Sequence, residues 1–286
     1  MFFGVFPASV FAINSFKRNP ADHPNQADFK KWMIYLFWVV LVLFSIVKTK
    51  IVHYSSLCYF PLTFLCAHYL YQLLEKRTFI RKWNVIALIS ISTACGIGMI
   101  AISYIDSYKT IFIESGLIKN AFVLGNLEAE GQWTGFESLI GLLLMAGIIT
   151  GTRCLKTKPK TGITVIFSTA IIFTFTAYIF VAPRIERYSQ NAAIEFYKTL
   201  ENQDAYVATL GYKSYAHLFY SKFKPQDHKK YLSKEWLAEG DVDKPAHFSI
   251  KIHKSEKIFK RFPRLEFLYK KNGFVFCKRE PHSSKP

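Results

Sequence analysis

Long apolar runs alternate with short polar segments over the first two thirds of the 286-residue chain. A helix that crosses the roughly 30 Å hydrocarbon layer of a bilayer needs about 20 apolar residues, and tilt or flanking aromatic side chains accommodate shorter runs. The pattern therefore predicts five membrane spans. They are residues 32–47, 52–74, 84–105, 136–151 and 161–182.

The first 14 residues are apolar but too short to cross a bilayer. They lack the basic start and the small-residue cleavage site of a signal peptide, so we expect the tail of a helix whose start is missing. Residues 15–31 are polar and contain two prolines, which predicts a loop.

From residue 183 onward the pattern changes to shorter helical and strand periods, typical of a soluble α/β domain of ordinary size. Ser189 is the predicted cap of its first helix, and Asn272-Gly273 predicts the turn of a terminal hairpin. The predicted elements are a helix at 189–200, a strand at 204–211, helices at 215–223 and 229–239, a strand at 247–252 and a hairpin at 265–279. The predicted fold class is an α-helical polytopic membrane protein, residues 1–182, with five spans plus a partial N-terminal helix, followed by a C-terminal soluble α/β domain, residues 183–286.

The segment 106–135 is long for a loop and mixes apolar with charged residues. An amphipathic segment on the membrane interface fits this alternation, and a re-entrant loop is the alternative. Glu114, Glu128 and Glu130 are expected to be solvated, although they could also assist chemistry or hold a metal.

Composition agrees with a membrane protein, since 51% of the residues are hydrophobic and 17% are aromatic. The net charge of +17 would fit either a nucleic acid or an anionic membrane surface as partner. Residues 183–286 contain 21 Lys and Arg but only 12 Asp and Glu. On the outer side of a membrane this surplus favours membrane lipids as partners and argues against nucleic acid.

The basic residues are distributed unevenly among the predicted loops. Loops 15–31, 75–83 and 152–160 carry four Lys or Arg each, twelve in all, whereas 48–53 and 106–135 carry two each, four in all. Positively charged loops stay on the cytoplasmic side. The sequence thus predicts that residues 48–53 and everything after residue 182 face outward.

Signals of self-contained chemistry are missing from the sequence. It has no nucleotide-phosphate loop, no Ser/His/Asp spacing and no His-x-x-x-His pair, and its five cysteines follow no metal-ligand or disulfide pattern. We identify no cofactor, and a divalent metal remains an open alternative. Gly96-Ile97-Gly98 in an apolar run is expected to serve helix packing. The spans show no buried ionisable residue and no internal repeat, which disfavours a transporter.

A compact polar segment between the first two spans carries the strongest candidate site. Lys48, Lys50, His53 and Tyr54 crowd together at a membrane face, because charges in hydrocarbon cost several kcal/mol. They predict a seat for an anion at the level of the lipid head groups. The alternative is that the two lysines only mark a helix end.

This segment resembles a pattern of the GT-C membrane glycosyltransferases, in particular the bacterial family of the lipid A 4-amino-4-deoxy-L-arabinose transferase and its protein-mannosyltransferase relatives. The resemblance rests on Phe44-Ser45-Ile46-Val47-Lys48-Thr49-Lys50-Ile51-Val52-His53-Tyr54, followed by Tyr59-Phe60-Pro61. Gly4-Val5-Phe6-Pro7 is similar to the end of the family's preceding helix. The sequence departs from the family at Val52, where proline is usual, and at Ser55-Ser56-Leu57. The resemblance covers about residues 1–75, and the rest of the chain matches only in layout.

The resemblance implies transfer of a sugar from a polyprenyl-phosphate carrier to a lipid, glycan or other cell-envelope acceptor, as in lipid A modification. It assigns the contact with the carrier phosphate to Lys50 and Tyr54, with Lys48 and His53 as neighbours. It also implies a multi-pass protein of the bacterial cytoplasmic (inner) membrane with its C-terminal domain on the outer, periplasmic side. The mechanism it implies is direct displacement at the anomeric carbon.

The family's catalytic carboxylate lies in the first outer loop, which is absent from this sequence. We therefore expect no catalytic residue here, and a chain that is the C-terminal portion of such an enzyme, whether a fragment or one partner of a separately encoded N-terminal half. A second hypothesis stays open. The chain could be a non-catalytic membrane protein that binds a polyprenyl phosphate or presents its basic outer domain to partners.

Overall fold

The computed structural model describes residues 5–17, 22–46, 56–224 and 229–281, which form two compact units. The helical unit contains the described residues up to Ser103 together with Gly135–Tyr178. The α/β unit contains Tyr104–Thr134 and the described residues from Ile179 onward. Each unit therefore combines two stretches of chain that are separated in the sequence.

The helices follow one another with short connections. They are α1 (Ala8–Ser15), α2 (Pro24–Ile46), α3 (Tyr59–Leu74, after a 3₁₀ turn at Ser56–Cys58), α4 (Lys82–Ser103), α5 (Ile105–Glu114), α6 (Ala121–Leu127), α7 (Ser138–Thr157), α8 (Pro159–Thr176, continued by a π-helical segment at Ala177–Val181), α9 (Ala182–Arg187), α10 (Asn191–Thr199), α11 (Ala216–Tyr220), α12 (Lys234–Glu239, after a 3₁₀ turn at Lys229–Leu232) and α13 (Ile252–Arg261). The strands are β1 (Tyr206–Leu210), β2 (Ala246–Lys251), β3 (Glu266–Lys271) and β4 (Phe274–Arg279).

The five predicted spans are confirmed as helices long and apolar enough to cross a membrane. Between 17% and 50% of the apolar window of each helix is buried within the protein. The remaining apolar surface would be unstable in water, but lipid tails solvate it well. The described residues thus form a multi-pass membrane protein.

Two of the predicted loops are shorter than expected. Helix α2 begins at Pro24, not at residue 32, so its first two turns are polar. Helix α7 continues through Thr157, and Lys158 alone separates it from α8, which starts with Pro159. Proline is well suited to a first helical position, and polar residues continue a helix beyond its apolar run. The limit of an apolar run therefore differs from the limit of the helix.

Helix α1 is buried within the helical unit. Phe11 is fully buried and stacks on Tyr69 of α3, with ring centroids 6.3 Å apart. The Asn84 side-chain amide donates to the carbonyl of Val10 over 3.0 Å, and the Ser15 hydroxyl donates to a carbonyl of α3 over 2.7 Å. The Asn84 amide and the Ser15 hydroxyl therefore find acceptors inside the protein, whereas Oδ1 of Asn84 has no hydrogen-bond partner among the described residues.

Helices α4 and α7 approach each other at a pair of glycines. A Cβ added to Gly96 would lie 2.9 Å from the carbonyl oxygen of Gly141, and one added to Gly141 would lie 2.6 Å from that of Gly96. Small residues allow such backbone contact between membrane helices. The packing role expected of Gly96 is confirmed, whereas Gly98 has no atom within 4 Å of an added Cβ.

The α/β unit is built on a four-stranded sheet of order β1-β2-β4-β3. Strands β1 and β2 are parallel and the other pairs are antiparallel. Alternate residues of each strand point to opposite faces, so Ala208, Phe248 and Cys277 enter one apolar cluster while Val207 and Phe276 enter another. Strands β1, β2 and β4 are therefore covered on both faces, whereas the edge strand β3 is largely exposed.

The terminal hairpin is confirmed, with positive φ angles of 46° at Asn272 and 78° at Gly273. The predicted cap is wrong, because α10 starts at Asn191 without a side-chain cap and the Ser189 hydroxyl donates to the carbonyl of Glu186. Helix α13 has no counterpart among the sequence predictions. It buries Ile258 against the sheet and exposes a basic face.

Candidate functional site

The anion seat predicted at Lys48, Lys50, His53 and Tyr54 lies outside the described residues. The described residues on either side define its frame. Helix α2 ends at Ile46, the next helical turn starts at Ser56, and the Cys58 thiol lies 3.7 Å from the carbonyl oxygen of Phe37. The nine residues 47–55 therefore join two helices that pack against each other.

A buried charge network lies at the opposite end of this helix pair. Asp22 accepts from the Lys30 ammonium over 2.5 Å, lies 3.1 Å from the His68 imidazole and accepts from the Gln72 amide. The side chains of Asp22, Lys30 and His68 are at most 8% exposed. Sixteen residues of α2 follow Lys30, or about 24 Å of helix, so this network is remote from residues 47–55.

The network corrects an expectation, since the spans do contain buried ionisable residues, Lys30 in α2 and His68 in α3. Burial raises the pKa of Asp22, but the hydrogen bond and charge of Lys30, together with His68, outweigh it, so the pKa is lowered. Asp22 is thus an anion whose charge is compensated by the adjacent ammonium group of Lys30. Its role is to attach the segment before α2 to α3.

A second hydrogen-bond network surrounds Asp106. Among the described carboxylates of segment 104–134, it is the one that accepts hydrogen bonds from several donors. Asp106 accepts from the Tyr188 hydroxyl over 2.6 Å, from the Lys109 ammonium over 3.0 Å and from the Gly131 amide over 3.0 Å. The Trp133 indole donates to the same Tyr188 oxygen over 2.9 Å. Residues 106 and 188 come together although 82 positions separate them.

This arrangement makes Asp106 a poor general base. Burial raises its pKa, but the hydrogen bonds from Tyr188 and Lys109 lower it by more, so the pKa falls below its ordinary value. Burial and the hydrogen bond to Asp106 raise the pKa of Tyr188 well above the usual range. A base whose lone pairs already accept three hydrogen bonds has little capacity for an incoming proton. Through these hydrogen bonds Asp106 connects α5 to the loop before Trp133 and to the end of α9.

The other carboxylates of this region are arranged differently. Glu114, Glu128 and Glu130 are exposed, in agreement with their predicted solvation. Glu137 belongs to the helical unit and is 4% exposed. In the described ranges, no three His, Cys, Asp or Glu side chains are grouped closely enough to hold a metal ion.

Five apolar helices together with a small mixed sheet place the chain in a defined class, the polytopic membrane proteins with a small α/β unit. Its fold is similar to that of a solved structure, ArnT from Cupriavidus metallidurans in the apo state. ArnT is the lipid A 4-amino-4-deoxy-L-arabinose transferase.

The likeness has a TM-score of 0.54 at 14% sequence identity. It covers 96% of this chain and 49% of ArnT, so the chain spans about half the length of the solved structure that it matches. No protein-family model and no curated protein sequence matches the chain. What the likeness establishes is the fold.

Proposed function

We propose that the chain is part of an integral membrane glycosyltransferase that takes a sugar from a polyprenyl-phosphate carrier and transfers it to a lipid or other cell-envelope acceptor. The observation that carries the proposal is the likeness to ArnT over 96% of the chain. The motif at residues 44–54 supports it independently, because the motif rests on residue identities alone.

Within this proposal Lys48, Lys50, His53 and Tyr54 bind the carrier phosphate. Displacement at the anomeric carbon releases this phosphate, and negative charge develops on it as the sugar leaves. Cationic side chains placed at that position stabilise the transition state more than the ground state. Lys50 and Tyr54 would make the direct contacts.

We propose further that the catalytic carboxylate is supplied by residues outside this chain. The engagement of Asp106 by three donors supports this, since these hydrogen bonds leave its carboxylate little capacity for base catalysis. The side chains of Glu114, Glu128 and Glu130 are exposed to solvent, so none of them is a buried carboxylate. The site would then be completed by a separately encoded or preceding polypeptide.

The test is reconstitution in liposomes with a labelled polyprenyl-phosphate sugar, with the chain alone and with the polypeptide encoded upstream. We expect carrier binding in both samples but sugar transfer only in the second, because base catalysis is typically worth 10²–10⁴-fold. Lys50→Ala should weaken carrier binding without altering the melting temperature. Lys119→Ala, an exposed lysine of the same predicted side, is the matched control.

Each outcome decides between the hypotheses. Robust transfer by the chain alone would contradict the proposal that the catalytic carboxylate lies outside this chain. Glu114, Glu128 and Glu130 would then be the first residues to mutate. Carrier binding without transfer in either sample would favour a non-catalytic carrier-binding protein. If the Lys50→Ala and Lys119→Ala chains bind the carrier with equal affinity, Lys50 does not contact the phosphate. The lysines of segment 48–54 would then only mark the end of a helix.

A further inference from the structure

A cavity of about 410 Å³ lies within the α/β unit, at the edge of the sheet. Strand β1 pairs only with β2, and its other edge faces α11, the 3₁₀ turn at Lys229–Leu232 and α12. The cavity occupies the space between this edge and those helices. Its size is within the range of about 300–1,000 Å³ found for small-molecule sites.

Most of the cavity wall is apolar. Tyr206 and Leu237 form its buried floor, and Leu218, Phe223 and Leu232 line it nearer the surface. Leu218 is 41% exposed and Leu232 is 67% exposed, so apolar side chains also continue to the mouth. Such a wall favours the hydrocarbon part of a ligand.

The charged members of the lining are all basic. Lys213 and Lys234 line the cavity, and among the described residues that do so there is no Asp or Glu. Both side chains border the same cavity, so their positive charges act on the same space. Two cations beside an apolar wall favour a ligand that carries negative charge.

Lys234 is fixed by its neighbours without being neutralised. Its ammonium donates to the Thr209 hydroxyl over 2.9 Å and to the carbonyl of Tyr212 over 3.1 Å. An ammonium group has three N–H donors, so one remains. Its partial burial lowers the pKa of Lys234, with the charge of the neighbouring Glu235 opposing that effect. In the described part of the chain, no carboxylate lies within ion-pair distance of it.

His217 adds a neutral polar group to the same wall. It is 9% exposed, and its Nδ1 has no hydrogen-bond partner in the described structure. Burial and then the charge of Lys234 lower the pKa of His217 to about 4. The imidazole is therefore uncharged near neutral pH and keeps an unused hydrogen-bonding atom. A ligand contact would supply the hydrogen bond that this buried atom lacks.

From this arrangement we propose that the cavity binds an anionic amphiphile, with its negatively charged head between Lys213 and Lys234 and its hydrocarbon part along Tyr206, Leu218 and Leu237. A neutral apolar ligand would desolvate the free N–H of Lys234 without replacing the lost hydration, which is unfavourable. A small inorganic anion would leave the apolar wall in contact with water. An amphiphile satisfies both halves of the site.

Binding can be measured on the full chain in nanodiscs of zwitterionic lipid, by calorimetric titration with octyl phosphate. Octyl glucoside serves as the neutral amphiphile and inorganic phosphate as the head group alone. We expect saturable binding of octyl phosphate and none, or far weaker binding, of the other two. Inclusion of phosphatidylglycerol in the nanodisc separates two sources of the ligand, since competition by the bilayer lipid would identify a membrane lipid and its absence a soluble compound.

Three variants test the assignment of the residues. Lys234→Met and Lys213→Met keep the aliphatic stems and should each weaken octyl phosphate binding roughly tenfold, the effect of about 1.4 kcal/mol. Lys213 is exposed, so its variant remains informative if the Lys234 variant fails to fold. Leu218→Trp should block the mouth, and Lys257→Met on the exposed face of α13 is the matched control.

The proposal is overturned if octyl glucoside or inorganic phosphate binds as tightly as octyl phosphate, or if no ligand binds. It is also overturned if Lys213→Met and Lys257→Met behave alike. These results can be separated from sugar transfer, because octyl phosphate binding is measured without a sugar donor.

Discussion

Two carboxylates of this protein each pair with a lysine that is close in sequence and with further groups from distant parts of the chain. Asp22 is enclosed by Lys30, His68 and Gln72, and Asp106 by Lys109 and Tyr188. Removing one member of such a group leaves the others buried and unpaired, which costs more than the group contributes as a whole. These carboxylates hold segments together, which explains why neither is free for proton transfer.

We predict that Asp106→Asn destabilises the α/β unit by about 1–3 kcal/mol, because the charge-assisted hydrogen bonds from Lys109 and Tyr188 are weakened and Lys109 loses its ion-pair partner. The melting temperature, followed by circular dichroism, is the measurement. Glu130→Gln, at an exposed carboxylate in the same loop, is the control and should change stability by no more than about 0.5 kcal/mol.

The effect of Asp106→Asn on stability should depend on pH. The folded-state pKa of Asp106 is lowered, so its stabilisation is present above the ordinary value of 3.8 and is lost as the pH falls through the folded-state pKa. The difference in melting temperature between the wild-type and Asp106→Asn chains should therefore shrink in strong acid. A difference that stays constant with pH would show that the network stabilises through shape and not through charge.

Helix packing, the next scale, depends on two glycines. We predict that Gly96→Ala lowers the melting temperature of the helical unit, because the new Cβ would lie 2.7 Å from Cγ of Met145 and 2.9 Å from the carbonyl oxygen of Gly141. Overpacking of this kind typically costs about 1–3 kcal/mol.

The matched control for Gly96→Ala is Gly98→Ala on the same helix, where nothing lies within 4 Å of the added atom. It should be neutral or slightly stabilising, because alanine has the higher helix propensity. Thermal unfolding in detergent compares the two. Equal destabilisation by both variants would mean that loss of glycine itself, and not contact between α4 and α7, is responsible.

For the whole molecule the orientation in the membrane is the principal prediction. The twelve-to-four distribution of Lys and Arg among the predicted loops motivates it. In a chain whose own cysteines are replaced, Ser55→Cys and Lys257→Cys should react with an impermeant thiol reagent on intact cells. Thr157→Cys, exposed at the end of α7, should react only after permeabilisation.

Permeabilised cells, in which all three positions should react, provide the control for accessibility. Labelling of Thr157→Cys on intact cells, or protection of only one of the other two positions, would contradict the orientation. It would also remove the support for an outward-facing carrier site.

The sequence alone determined the features that depend on neighbouring residues. The five spans follow from contiguous apolar runs, because the free energy of transfer into hydrocarbon adds up along a helix. The terminal hairpin follows from Asn272-Gly273, since few other residue pairs accept two positive φ angles. The candidate phosphate site at Lys48, Lys50, His53 and Tyr54 is likewise a local motif, and it stays a prediction.

Only the tertiary structure decided which distant residues meet. Lys30 looks like a loop lysine in the sequence and is buried because Asp22 compensates its charge. Segment 104–134 joins the α/β unit through contacts such as Asp106 with Tyr188, 82 positions apart. The cavity beside β1 exists because α11 and α12 return to an unpaired strand edge. Such contacts produce no periodic pattern along the chain, since their free energy depends on how separate segments fold back onto one another.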